Sequence, residues 1–358
     1  MNTLPAQISS ANAGATPGVL RVLACTPGRH YPAARFRVQQ YHGILAKLGV
    51  HLVDAPALLG DYPPQVRMLR PAWGAAVLAE RILHALRSWH FDVTLLQREM
   101  VTTLLTLERF TRRPRLLDVD DAIWVPAGRN FVRRLAGVVD RIVCGNNFLG
   151  NVFSQWNRNV VVIPTALVTS RFVPDYRRRQ EGLIGWSGSN SNLPYLYDIE
   201  PALVEVFRRH ADIRLRVLAN GPPRFRQLPA HRVEFVRWSP ATEVRAIQDL
   251  AIGLMPLRDT DWERGKCSLK MLQYAACGVP SVVSPVGMNA ELLAMAPIGL
   301  AATTIPEWIA ALEFLLGFTD RAARFGEAGR TLVLNHFDAE HWGAELSNEL
   351  RVAAAAAY

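Results

Sequence analysis

The segment 259–291, DTDWERGKCSLKMLQYAACGVPSVVSPVGMNAE, concentrates residues able to hold an anion. Lys266 and Lys270 are two of only three lysines in a chain that otherwise carries its positive charge on arginine. They stand four apart, and Gln273 follows three later. If residues 266–277 are helical, all three share one face. The loop before them carries Asp261, Trp262, Arg264 and Gly265. A glycine-containing loop that brings basic groups to a helix N-terminus favours negative charge, phosphate above all. The first amides there have no intrahelical partner, and the helix dipole turns its positive end outward. The same spacing also fits a helix whose polar face is simply solvated.

The elements that position these residues read as alternating strands and helices. In the first half, VLRVLACT (19–26), FDVTLLQ (91–97), RLLDVDD (115–121), DRIVCGN (140–146) and NVVVIPT (159–165) are short apolar runs with the character of buried strands. A helix is expected over ARFRVQQYHGILAKLG, stopped by Gly49. In the second half the strands are GLIGWSG (182–188), IRLRVLAN (213–220), VEFVRW (233–238), AIGLMPL (251–257) and PSVVSP (280–285). Strands alternating with helices imply parallel sheets in an α/β fold. The 358 residues allow two domains. The expected division is a disordered tail 1–17, a Rossmann-like domain 18–168, a linker 169–181 and a second Rossmann-like domain 182–330. A C-terminal helix within 331–358 packs back across both. Two doubly wound sheets facing each other place the ligand site in the crevice at the carboxyl ends of their strands.

Composition narrows the class. Half the residues are hydrophobic, enough for two cores, yet no apolar run reaches the length of a membrane span. The N-terminus has neither the basic nor the apolar region of a signal peptide. Four cysteines without a CxxC are expected to be free thiols in a reducing compartment, and nine histidines without an HxxxH pair argue against a built-in metal site. Residues 1–170 hold 19 Lys+Arg against 10 Asp+Glu, whereas 171–358 hold 21 of each, so the excess of +9 lies in the first half. That half is expected to face something anionic. No zinc-finger or RNA-binding signature is present, so nucleic acid is not an expected partner.

The segment GKCSLKMLQYAACGVPSVVSPVGMNAEL, with YPAARFRVQQY (31–41), LLDVDDAIW (116–124), VVVIPTALVTSRF (160–172) and IGWSGSNSN (184–192), resembles the GT-B glycosyltransferases of the retaining family 4, also called glycosyl transferases group 1. The resemblance covers about residues 19–345. It implies a glycosyltransferase that binds a nucleotide-diphosphate sugar in the C-terminal domain and transfers the sugar, with retention and without an obligatory metal, to a saccharide or lipid-linked hydroxyl acceptor. No other cofactor is implied. A cytoplasmic location is expected, with peripheral contact at the inner face of the membrane.

Carried onto this chain, the resemblance implies that Ser187, Gly188 and Ser189 offer amides and hydroxyls to the diphosphate. Asn220 and Gly221 face the same crevice, and Trp238 stands where a base-contacting residue belongs. Lys266, Lys270 and Arg264 stabilise the departing diphosphate. The family's Glu, seven residues, Glu pattern reads Gly265 and Gln273 here. Gln273 keeps an amide for a ribose hydroxyl. Gly265 has no side chain for the sugar, leaving backbone N–H groups around Lys266 and Cys267, or the acids Asp261 and Glu263. DVDD (118–121) looks like a metal-binding DxD of another glycosyltransferase fold, but the two-domain context favours Asp121 orienting donor sugar or acceptor, a position that also suits a general base. The first domain is expected to hold the acceptor through Gly28, Arg29, His30 and Arg35, the last beside Arg37. The segment 71–92, with Trp73, Val77, Ile82, Leu86 and Trp89 around Arg81 and Arg87, fits either a helix covering the sheet or one lying on a membrane surface. Alternatives are a GT-B epimerase or hydrolase acting on a nucleotide sugar, and a non-catalytic partner that binds one.

Overall fold

The computed structural model describes residues 18–29, 31–59, 64, 66–101 and 107–356. The expected tail 1–17 and the candidate His30 lie outside the described residues.

Two six-stranded sheets form the scaffold. The first comprises β1 (Leu20–Thr26), β2 (Val50–Pro56), β3 (Val93–Gln97), β4 (Arg115–Val119), β5 (Arg141–Cys144) and β6 (Val160–Val162), in the order β2-β1-β3-β4-β5-β6. The second comprises β7 (Leu183–Ser187), β8 (Arg214–Ala219), β9 (Val233–Arg237), β10 (Ile252–Met255), β11 (Ser281–Val283) and β12 (Gly299–Ala301), in the order β12-β11-β10-β7-β8-β9. All neighbours are parallel. Helices cover both faces, so the central strands β3, β4, β7 and β10 are buried along their whole length.

The strand order reverses between β1 and β3 in the first sheet and between β7 and β10 in the second. Connections diverge there and leave a crevice at the carboxyl ends. Residues 27–29 and 98–100 therefore face it from one side, and 187–189 and 256–260 from the other.

The expected single helix after β1 is interrupted. Pro32–Arg37 and His42–Lys47 are separated by a 3₁₀ turn, Gln39–Tyr41, with Val38 at φ −129° and ψ −63°. The break accompanies the burial of Arg37, which donates to Asp118 at 2.7–3.2 Å and to the Ile163 carbonyl at 2.6 Å. Arg37 is thus a core residue, not a group open to an acceptor.

The last two helices tie the domains together. Thr319–His336 packs on the second domain, where Gly329 lies against Ala275. Ala339–Ala355 returns to the first domain, placing Leu346 and Leu350 in the core with Val22, Leu45 and Leu95. Where the chain returns, Leu167 N–H donates to the Phe337 carbonyl and Ala339 N–H to the Leu167 carbonyl, so the two crossings run side by side. One apolar cluster spans the domain boundary, joining Val119, Ile123 and Leu149 to Met271, Leu272 and Met288.

Candidate active site

The lysine-bearing segment is built differently from the expectation. The helix covers Leu269–Ala276, and Ser268 before it is left-handed (φ 49°, ψ 27°), held by its hydroxyl donating to Asn289 Oδ1 at 2.7 Å. That kink breaks helical propagation, so Lys266 belongs to the preceding loop and the three residues do not share one helix face. Only Lys270 and Gln273 lie on the helix. Lys266 N–H donates to the Glu263 carbonyl at 3.0 Å, closing the short helix Asp261–Arg264.

Lys266 nevertheless meets the first domain. Lys266 Nζ lies 3.9 Å from Asp121 Oδ1, and Arg98 Nη1 lies 3.6 Å from Asp121 Oδ2. Indoles back both lysines: Lys266 sits 4.9 Å from the Trp262 ring centre and Lys270 4.8 Å from that of Trp186. Burial, reinforced by Lys266 and opposed by Asp121, pushes Lys270 down to about 7. On the facing wall burial, followed by the charge of Asp121, pushes Asp120 up to about 7. Asp120 Oδ1 is buried without a hydrogen-bond partner. The acids of DVDD thus have separate fates: Asp118 is held by Arg37, Asp121 by Arg98 and Lys266, and Asp120 is left with an unengaged oxygen. Among the described residues no group of three or more His, Cys, Asp or Glu is placed to hold a metal ion.

The loop after β7 is internally engaged. Ser187 N–H donates to Tyr274 Oη at 3.0 Å and Gly188 N–H to the Leu218 carbonyl at 3.0 Å. This corrects the expectation that those two amides are open to a diphosphate. Gly188 serves proximity: a Cβ there would lie 2.5 Å from the Trp186 ring and 2.9 Å from Lys270 Cε. Ser189 shares hydroxyl contacts with Ser191 and accepts from Asn192. Gly221 N–H donates to Asn190 Oδ1 at 2.8 Å, which joins this loop to the one after β8, and Asn220 stays exposed.

Other expectations change as well. Gln273 is 2% exposed and donates to Glu243 Oε1 at 3.2 Å, so its amide is not open to a ribose. Glu243 also receives Arg35 at 2.8 Å, Arg171 at 3.1 Å and the Trp238 indole N–H at 3.1 Å. The Arg35 guanidinium lies 4.7 Å from the Trp238 ring centre. Arg35 is therefore an interdomain contact rather than a free acceptor clamp. Arg264 is exposed and pairs with Asp259 at 2.7 Å and with Asp261 at 3.9 Å, so its charge is answered within its own loop. Glu263 is buried under the hydroxyls of Tyr195 and Thr260. Cys267 is buried and its thiol donates to the Asp120 carbonyl at 3.3 Å. Burial holds that thiol well above the usual range. Gly28, buried at φ +148°, turns the chain after β1, and Arg29 is exposed beside it.

Gly265 has a packing reason. Its φ of −72° is ordinary, but a Cβ would lie 2.6 Å from the Ala122 backbone nitrogen of the first domain. The two backbones touch where the related pattern has an acid. Asn146, from the first domain, then donates to the carbonyls of Arg264, Gly265 and Lys266 at 3.0–3.2 Å.

Sequence reasoning missed Arg98, Asn146 and Glu243. Arg98, at positive φ (66°) just past β3, stands at the switch point, and strand order alone locates it. Asn146 had a readable signal as the cap of helix Asn147–Phe153, accepting from Leu149 N–H at 2.8 Å. Glu243 reads as an ordinary first-turn acid, and nothing in the sequence marks its partners. A cavity of about 430 Å³, lined by Gln40, Lys47, Thr169, Asp338 and Glu340, lies on the hinge side. Its lysine is paired with Glu340, whereas the crevice holds Lys270 and the unpartnered Asp120 Oδ1.

Residues 182–317 match the family model described as glycosyl transferases group 1. No curated relative matches by sequence. Among solved structures, the chain is similar to sucrose-phosphate synthase from Thermosynechococcus elongatus, with TM-score 0.71 and 14% identity, over 94% of this chain and 100% of that one. It is similar to Anabaena HepE in complex with UDP and glucose, with TM-score 0.67 and 11% identity, over 93% and 99%. It is also similar to an alpha-glucosyltransferase in complex with UDP and a mismatched DNA 13-mer, with TM-score 0.67 and 10% identity, over 94% and 100%. The chain thus has the GT-B fold, and residues 182–317 of its second domain match the glycosyl transferases group 1 model.

Proposed function

We propose that the protein is a metal-independent, retaining glycosyltransferase that moves a sugar from a nucleoside-diphosphate sugar to a hydroxyl acceptor. The observation that carries the reading is the pair Lys266 and Lys270, at the N-terminal end of helix Leu269–Ala276, facing Asp120 and Asp121 across the crevice. The bond between the anomeric carbon and the diphosphate oxygen breaks, and its electron pair leaves on the diphosphate. The lysines and first-turn amides stabilise that charge, an effect worth about 10²–10³ in rate for one well-placed donor. The acceptor oxygen forms the new bond to the anomeric carbon on the face the diphosphate leaves and gives up its proton to Asp120, whose Oδ1 has no hydrogen-bond partner. The related HepE structures bind UDP and UDP-glucose, which supports a nucleotide-sugar donor.

A thermal-shift panel of UDP, GDP, ADP, TDP and CMP, with and without Mg²⁺, tests this. A ligand at 100 times its Kd adds about 2.7 kcal/mol of stability, a readable shift. One nucleoside diphosphate is expected to stabilise the wild type regardless of Mg²⁺ and to lose its effect in Lys266→Ala/Lys270→Ala. A shift unchanged in that variant would overturn the site, and no shift with any of them would overturn the donor.

A further inference from the structure

The helix Arg70–Ser88 is inside out. It buries Val77, Arg81, Ala85 and Ser88 against the domain, with Arg81 only 2% exposed. Its outward face carries Leu78, Ile82, Leu83 and Leu86, followed by Trp89. Leu83 is 65% exposed, Leu86 61% and Trp89 57%. Phe110 extends the patch, accepting the Trp89 indole N–H on its carbonyl at 3.0 Å. A surface helix normally turns such residues inward, and a contiguous apolar stripe on the outside marks a contact surface.

The charges around the stripe choose the partner. Arg67 and Arg70 flank its start, Arg87 and Arg109 its end, and all four are exposed. The helix's one acid, Glu80, is half-buried and accepts from Leu58 N–H at 2.8 Å. Leucines flanked by arginines, with a tryptophan at the edge, match an anionic bilayer surface: side chains enter the acyl boundary and guanidinium groups meet phosphates. A second copy of this chain would set arginines against arginines across a two-fold contact. No helix among the described residues is long and apolar enough to cross a membrane, so this one would lie in the interface plane. Its start and middle flank the loops leaving β1 and β2, through the Trp73 indole to the Leu59 carbonyl and Arg81 Nη1 to the Thr26 carbonyl, while its exposed end at Leu86 and Trp89 leads into the amino end of β3.

We infer that the outward face of helix Arg70–Ser88 docks the protein on anionic membranes. This deepens the glycosyltransferase reading by pointing to a lipid-linked acceptor, yet its test needs no turnover. Co-sedimentation with phosphatidylcholine vesicles, plain or containing about 30% phosphatidylglycerol, is the measurement. The wild type is expected to partition onto the anionic vesicles and to dissociate as salt rises. Leu83→Glu/Leu86→Glu is expected to lower partitioning at least about tenfold while keeping the parent's unfolding temperature, because both side chains are exposed. Arg67→Glu/Arg70→Glu/Arg87→Glu should give a comparable loss and remove the salt dependence. Failure of the wild type to bind anionic vesicles, or binding unchanged in the leucine variant, would overturn the inference. So would a wild-type dimer in light scattering that the leucine variant splits, since the face would then be a self-association surface.

Discussion

Asp120 and Lys270 are the two groups of the crevice that burial moves furthest toward neutral pH. The folded protein holds the Asp120 proton more tightly than the unfolded chain does. This residue therefore favours the folded state at acidic pH, and that contribution is lost as pH rises through about 7. Asp120→Asn removes the loss. The difference in unfolding temperature between Asp120→Asn and the wild type should widen in the variant's favour from about pH 5 to pH 8.5, and a constant difference would show that the carboxyl is not strained when ionised. Lys270 has the opposite sign: its neutral form favours folding, and that contribution is lost as pH falls through about 7. A diphosphate beside it restores the charged form, so nucleoside-diphosphate binding at about pH 8 should take up protons. Calorimetric titration in two buffers of different ionisation heat measures the uptake, expected to vanish in Lys270→Met. Heats independent of buffer in the wild type would place the anion elsewhere.

The loop 264–266 and the helix after it set where those charges stand. Gly265 lets the loop touch the Ala122 backbone, and Asn146 clamps it with one amide across three carbonyls. Gly265→Ala puts a Cβ 2.6 Å from a backbone nitrogen, a clash no rotamer relieves. Overpacking of that kind costs about 1–3 kcal/mol, and here the cost falls on domain contact. Gly265→Ala should lower kcat/KM for transfer by about 10- to 100-fold with a smaller effect on thermal unfolding. Full activity would mean the contact is dispensable. The elements themselves differ in legibility. The inner strands were readable because both faces are buried and their apolar runs are unbroken. The edge strands β2 and β12 were not: β2 mixes buried and exposed residues, and β12 is three partly exposed residues. Lys266 and Lys270 were legible as a basic pair at the start of a helix, but their register was not, since it depends on the left-handed Ser268 and its bond to Asn289. Gln273 was misread for a related reason: its partner, Glu243, is 30 residues away in sequence and reached only through the fold.

At the scale of the whole molecule, Glu243 joins the first domain, the linker and the second domain at one carboxylate. Arg35 comes from the first domain, Arg171 from the linker, and Trp238 and Gln273 from the second. Across the crevice, Asn146 and Asp121 hold the loop 264–266. The paired crossings at Leu167 and Ala339 form the hinge between these contacts. Opening the crevice about that hinge must separate Arg35 from Glu243, so this ion pair sets part of the balance between open and closed forms. Its environment is nearly dry, with side-chain exposures of 10% for Arg35 and 4% for Glu243, and removing one partner of such a pair typically costs about 3–5 kcal/mol. Arg35→Met takes away the first domain's charge while Arg171 still answers Glu243, so the second domain keeps its hub and the change falls on closure. Small-angle scattering of the unliganded variant should give a larger radius of gyration than the wild type, and a saturating nucleoside diphosphate should draw the two values together, because ligand bound across the crevice favours the closed form in both. An unchanged radius accompanied by a lower unfolding temperature would assign Arg35 to the stability of the assembled core and leave domain closure to the loop at Gly265.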